Sequence, residues 1–244
     1  MKSKILIHIG YPKTATTTLQ YGLFYSLHKT NKINYLGKFP DSYKNIDLGF
    51  KTKNKLTQYG EIKDIDFSKV LTDTLLNVIS VEELTPSAFI HKKMNSKNIK
   101  PFKLPKQLDN VFNNIECEIL VTLRRQPDLI YSTYVQAYRL FADSYLKKWD
   151  DFFNYFVNNI EQFKIFYYYD LIDKYRKVFG DENVNVLLYE DLKYNKSAFI
   201  NEISEILNIS NNLIDNIMNR TEHFNKRNKN TSSYKRRVKK ENKT

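Results

Sequence analysis

Apolar residues in this chain gather into short runs rich in Ile, Val and Leu, and between the runs apolar positions recur at helical spacing. That alternation is the pattern of βα units. The runs predict strands at Lys4 to Gly10, Asn77 to Val81, Glu118 to Arg124 and Val184 to Tyr189, each ending where polar or charged residues take over. The periodic segments predict helices at Thr16 to Lys29, Pro127 to Leu140, Trp149 to Ile160 and Asn195 to Leu207. The expected fold class is therefore α/β, a three-layer sandwich around a mainly parallel sheet, with ligands collecting at the carboxyl ends of the strands. Asn34 to Asp66 and Lys92 to Pro105 carry little periodicity and read as long surface loops. No internal repeat is visible.

Composition narrows this further. The chain has 244 residues with 41% hydrophobic content, enough to bury roughly 70% of its unfolded surface in one compact domain. The expected division is a single α/β domain over residues 1–219 and a basic tail over 220–244. No stretch reaches the roughly 18 apolar residues of a membrane span, and Met-Lys-Ser-Lys runs straight into Ile5-Leu6-Ile7, so a cytoplasmic location is expected. Cys117 is the sole cysteine and reads as a buried small hydrophobe, which leaves no disulfide framework. His8, His28, His91 and His223 lie far apart, so no metal is expected. The net charge is +12, of which residues 220–244 carry +8 and the rest of the chain +4. A nucleic-acid duplex would thus find its charge in the tail, at Lys235-Arg236-Arg237-Val238-Lys239-Lys240, and not along the body.

The richest chemistry follows the first strand, where Ile7-His8-Ile9-Gly10-Tyr11 breaks into Pro12-Lys13-Thr14-Ala15-Thr16-Thr17-Thr18 and a helix opens. Free amides at a helix start, the positive dipole end, a lysine and several hydroxyls together make an anion cradle. Each charge-assisted hydrogen bond there contributes roughly 1.5 to 3 kcal/mol. The plainer reading of the threonines is helix capping. In the P-loop of ATP and GTP enzymes the lysine closes the loop beside a glycine; here Lys13 comes early and without one.

Pro12 to Thr18 resembles the 5′-phosphosulfate loop of the sulfotransferase family, Pro-Lys-[Ser/Thr]-Gly-Thr-Thr. The resemblance implies 3′-phosphoadenosine 5′-phosphosulfate as co-substrate, with Lys13 at the bridging oxygen and sulfuryl group and Thr14, Thr16, Thr17 and Thr18 at the 5′-phosphate. Ala15 stands where the family has glycine, and a positive φ at that position would strain it.

A second anion site is predicted where the strand ending at Arg124-Arg125 meets the helix opened by Pro127. Arg124 and Ser132 could converge there, since a guanidinium fork holds two phosphate oxygens at once. The pair resembles the family's 3′-phosphate motif, an Arg followed eight positions later by Ser. Arg125 either reaches the same phosphate or pairs with a surface carboxylate. Tyr131, Tyr134 and Tyr138 share one helical face and read as core.

Hydroxyl attack on sulfur needs an acceptor for the hydroxyl proton. Ser80-Val81-Glu82-Glu83 resembles the Ser-x-Glu segment of carbohydrate-modifying sulfotransferases, which implies Glu82 as base and a saccharide acceptor. Adjacent residues on an extended chain point oppositely, so one of Glu82 and Glu83 is solvated; both could instead cap the next helix. His91 is the rival base. Tyr189-Glu190-Asp191-Leu192 resembles a later family turn and reads as structural, its carboxylates satisfying loop amides. Lys226 and Arg227 lie where relatives return a basic segment over the 3′-phosphate, the alternative being a solvated basic end. Two rival functions stand beside this one: a nucleotide kinase using the same strand, loop and helix with ATP and magnesium, and nucleic-acid binding through the tail.

Overall fold

A computed structural model describes residues 3–11, 13–37, 70–80, 104–112, 114–138 and 145–221. Five parallel strands form one sheet: β1 Lys4–Gly10, β2 Asn34–Leu36, β3 Asn77–Ser80, β4 Glu116–Leu123 and β5 Val184–Leu188, in the order β2-β3-β1-β4-β5. The register sets His8 beside Ser80 on one flank of β1 and Gly10 beside Thr122 on the other. Lys4 is the last residue of β1 to meet water and pairs with Glu118 at 2.7 Å and Glu116 at 3.3 Å.

Side chains alternate faces along a strand, and both faces of this sheet are covered. Ile5, Ile7 and Ile9 of β1, with Ile119 and Val121 of β4, pack under Leu108, Phe112, Tyr134, Phe152 and Tyr175. These come from α2 (Leu104–Phe112), α3 (Gln126–Ala137), α4 (Trp149–Asn158) and α5 (Tyr168–Phe179). On the other face Leu6, Val78, Leu120 and Leu187 meet Leu19, Leu23, Phe24, Phe199, Ile203 and Met218. Those residues belong to a π-helical segment, Thr18–Phe24, that continues as α1 (Tyr25–Lys29), and to α7 (Lys196–Leu207) and α8 (Asn211–Thr221); α6 is the short helix Tyr189–Tyr194. Each such aliphatic side chain taken fully out of water contributes about 1.5–3 kcal/mol. The three-layer α/β sandwich with a P-loop-like topology is the observed architecture.

Local chemistry sets the boundaries. Pro127 sits in the first turn of α3, where its missing N–H costs nothing. Asn195 caps α7 by accepting from the Ala198 amide at 3.4 Å, and α7 ends on Asn208 at φ 51°. α5 ends at Gly180, whose φ of 90° disfavours any other residue. Asn77, fully buried, ties the amino ends of the strands together. It donates to the carbonyls of Lys4 (3.0 Å) and Thr72 (2.8 Å) and accepts from Asn34 Nδ2 (2.8 Å) and the Thr72 amide (2.9 Å).

Three expectations change. Asn34 to Leu36 is an edge strand, not loop: with three residues it is too short for a period, and the Asn34–Asn77 bond anchors it. Leu104 and Pro105 begin α2 instead of ending a loop. Of the tyrosine stripe, Tyr134 and Tyr138 are buried but Tyr131 is 47% exposed, with the rings of Tyr134 at 6.3 Å and Trp149 at 5.1 Å against one side of it. Cys117 is half-buried against the core, and burial pushes its thiol up to about 12. The segments predicted as loop within 38–69 and 92–103, Val81, the end of the predicted helix at Leu140, and the tail from 222 onward lie outside the described residues.

Candidate functional site: two anion sites at the switch point

The helix after β1 packs on one face of the sheet and the helix after β4 on the other, so the carboxyl ends of β1 and β4 form the crevice where open α/β sheets take ligands. Both predicted anion motifs open there. The loop after β1 is tightly wound. Lys13 has φ 68° and Ala15 φ 65°, both left-handed, which is the conformation a glycine would adopt without strain. The Ala15 carbonyl then accepts from the amides of Thr18 (2.9 Å) and Leu19 (3.1 Å), starting the helix. Gly10 is needed for this turn, since a Cβ there would lie 2.0 Å from Thr16 Cγ2. Thr16 and Thr18 are buried, whereas Lys13 and Thr17 are half-exposed.

Thr14 behaves differently from its neighbours. Its hydroxyl donates to the Tyr11 carbonyl at 2.6 Å and lies 2.8 Å from Thr122 Oγ1, so it is drawn beneath the loop and committed to the protein.

Arg124 follows β4 and reaches back to the first loop, its Nη1 donating to the Lys13 carbonyl at 3.3 Å. Its guanidinium lies 4.8 Å from the centroid of the Tyr189 ring. Its own carbonyl accepts from Tyr168 Oη at 3.0 Å, and the Tyr168 ring meets Tyr11 edge-on. Burial, reinforced by Glu190, raises the Tyr168 hydroxyl well above its ordinary value against the lowering effect of Arg124, so it stays a donor. Among the described residues Arg124 Nε is buried with no hydrogen-bond partner, a costly state for a cationic donor unless an anion completes it. Ser132 lies half-buried on α3. Arg125 takes the surface alternative. Its side chain is 68% exposed and pairs with Asp128 at 3.6 Å, while its amide donates to both Glu190 carboxylate oxygens at 3.3 Å. Glu190 thus satisfies a loop amide, as expected.

Three residues here, His8, Gln20 and Thr122, were given no role by motif or resemblance, and Ser80 entered only as the first residue of the Ser-x-Glu segment. His8 is fully buried, with Nδ1 2.7 Å from Ser80 Oγ, Nε2 3.3 Å from Thr122 Oγ1 and the Phe24 ring edge-on at 5.6 Å. Burial lowers its pKa to about 3, so it is neutral. Gln20 Nε2 donates to Ser80 Oγ at 2.9 Å. The signal available in the sequence was one polar residue near the carboxyl end of each apolar run. Pro12, Glu82, Glu83, His91, Lys226 and Arg227 lie outside the described residues. Among the described residues no group of three or more His, Cys, Asp or Glu could hold a metal ion, and no helix is long and apolar enough to cross a membrane.

A family model described as a sulfotransferase domain matches residues 2–244. Sulfotransferase 6B1 of Mus musculus is 36% identical over 113 residues, 44% of this chain and 34% of that protein, so the match spans about a third of the curated relative's length. Among solved structures, a sulfotransferase from Alicyclobacillus acidocaldarius aligns with a TM-score of 0.48 at 16% identity, covering 86% of this chain and 83% of its own. Mouse sulfotransferase SULT7A1, solved in complex with PAP, aligns with a TM-score of 0.48 at 15% identity, covering 91% of this chain and 66% of its own.

Proposed function

The chain belongs to the sulfotransferase family, and from that premise we propose that it transfers a sulfuryl group from 3′-phosphoadenosine 5′-phosphosulfate to a saccharide hydroxyl in the cytoplasm. The observation that supports the reading is that the loop after β1 and the end of β4, both proposed to take an anion, meet across the β1–β4 crevice through the Arg124–Lys13 bond, with Arg124 Nε buried and lacking a partner among the described residues. The residues present fit a donor with phosphates at both ends. Arg124 and Ser132, with Lys226 and Arg227 from the tail, would hold the 3′-phosphate. Pro12 and Ala15 shape the loop, and Lys13, Thr14, Thr16, Thr17 and Thr18 would hold the 5′ end.

The donor supplies an activated sulfuryl group whose bond to the 5′-phosphate breaks as the bond from sulfur to the acceptor oxygen forms. Glu82 takes the acceptor's proton, Glu83 and His91 being the other bases in reach of the same argument. Lys13 offsets the negative charge gathering on the departing phosphate. Replacing it with alanine lowers turnover by about 10² to 10³, the range for removing one preorganised donor. Glu82→Gln should lower kcat without changing affinity for the bisphosphate product.

Calorimetry with 3′-phosphoadenosine 5′-phosphate, and separately with ATP and magnesium, tests the donor site. Wild type is expected to bind the bisphosphate in preference to ATP, and Arg124→Ala to weaken it about a hundredfold. A preference for ATP with magnesium returns the chain to the kinase reading. Transfer of labelled sulfate to oligosaccharides but not to phenols or simple alcohols tests the acceptor class.

A further inference from the structure

Ser80, His8 and Thr122 stand on one face of the sheet in three adjacent strands, β3, β1 and β4. Their hydrogen bonds can be ordered without ambiguity. Thr14 Oγ1 has one proton, and the Tyr11 carbonyl at 2.6 Å can only accept it. Across the 2.8 Å contact Thr122 must therefore donate to Thr14. With its proton spent, Thr122 Oγ1 accepts from His8 Nε2–H. A neutral imidazole with a proton on Nε2 has a bare Nδ1, which accepts from Ser80 Oγ. Ser80 in turn accepts from Gln20 Nε2–H. Gln20 Nε2 also donates to the Ser80 carbonyl at 3.3 Å, and along the row the direction is the same throughout, from Gln20 to Tyr11.

We propose that this directed chain, Gln20–Ser80–His8–Thr122–Thr14, is a positioning device for sulfuryl transfer, with His8 locked as the Nε2–H tautomer at its centre. The inference rests on the donor-site reading above. One end of the chain pins Thr14 beneath the left-handed turns of Lys13 and Ala15. Its middle runs through Thr122, two residues before Arg124. Its other end holds Ser80, two residues before Glu82. The chain thus ties together the strand ends from which the loop lysine, the guanidinium and the proposed base all depart. His8 touches none of the reacting groups and acts through the residues it holds. A merely structural buried histidine would stabilise the fold without setting the geometry of the loop.

Four experiments test this. Nitrogen NMR of His8 in the wild-type protein should find Nε2 protonated and Nδ1 bare; the opposite tautomer or an imidazolium overturns the ordering. Thr122→Val keeps the shape of the side chain and cuts the link between His8 and Thr14. It should weaken binding of 3′-phosphoadenosine 5′-phosphate about tenfold and lower kcat while circular dichroism still reports a folded chain. Ser80→Ala cuts the other side and serves if Thr122→Val fails to fold; it should lower kcat more than bisphosphate affinity. His8→Gln, which keeps a donor and an acceptor, should recover most of what His8→Leu loses. Wild-type affinity and turnover in Thr122→Val and Ser80→Ala, with only lowered melting temperatures, would leave His8 structural and sink the proposal. If wild type itself binds no bisphosphate, the donor-site reading fails, and the NMR result still decides the order of the chain.

Discussion

Ala15 holds a backbone conformation that costs an L-residue about 1–2 kcal/mol. Glycine removes that strain but adds entropy to the unfolded chain, which returns roughly 0.5–1 kcal/mol. Ala15→Gly is therefore expected to stabilise the protein by about 0.5–1 kcal/mol in urea denaturation, and a loss of stability would mean that the alanine methyl makes contacts worth more than its strain. His8 sets a pH dependence of stability. Its folded pKa of about 3 lies below the ordinary value of about 6.5 because burial disfavours the charged ring. Below about pH 6.5 the unfolded chain binds a proton that the native state refuses, so stability falls with falling pH by up to about 1.4 kcal/mol per unit until the folded pKa is reached. Above about pH 7 the residue contributes no slope. The difference in unfolding free energy between wild type and His8→Gln should be flat from pH 7 to 8 and shift steadily against wild type from pH 6 to 4.5; a difference that is constant throughout would contradict the assignment.

At the scale of elements, the amino ends of the strands depend on one amide. Asn77→Leu takes the Asn77 side chain away from the Lys4 and Thr72 carbonyls, from the Thr72 amide and from Asn34 Nδ2, of which the last keeps the Val70 carbonyl at 2.8 Å. The expected loss is about 3 kcal/mol, read from the urea midpoint. How legible each element was follows from what sets it. β1 was bounded to the residue because Ile5 to Ile9 is an apolar run closed by Gly10, and β4 and β5 ran within two residues of their predicted ends. α5 escaped prediction although Leu171 and Tyr175 sit four apart on its buried side, because the aromatic 3₁₀ segment Ile160–Phe166 precedes it and blurs the period. β2 has one buried side chain, Tyr35, and no period to read. At the site, Lys13, Ala15, Arg124 and the Glu190 contact were legible because loops and strand ends are local in sequence. The hydrogen-bond chain was not, since it exists only through the inter-strand register that sets residue 8 beside 80 and near 122.

For the whole molecule, the positive charge is concentrated in residues 220–244, which carry +8 of the net +12. Removing residues 231–244, which hold Lys235, Arg236, Arg237, Lys239, Lys240 and Lys243, should leave bisphosphate affinity unchanged and abolish salt-sensitive retention on immobilised DNA. A fall in bisphosphate affinity would instead mean that the end of the tail reaches the donor. The sheet order has a further consequence, for synthesis. β1 precedes the other four described strands in the chain, yet it lies at the centre of their sheet, and its partners β3 and β4 begin at Asn77 and Glu116. At roughly 5–20 residues per second, Ile5 to Ile9 leaves the ribosome many seconds before either neighbour exists to cover its edges. A fragment ending at residue 113 should therefore be unfolded and prone to aggregate, and the nascent protein should lean on chaperones until β4 emerges.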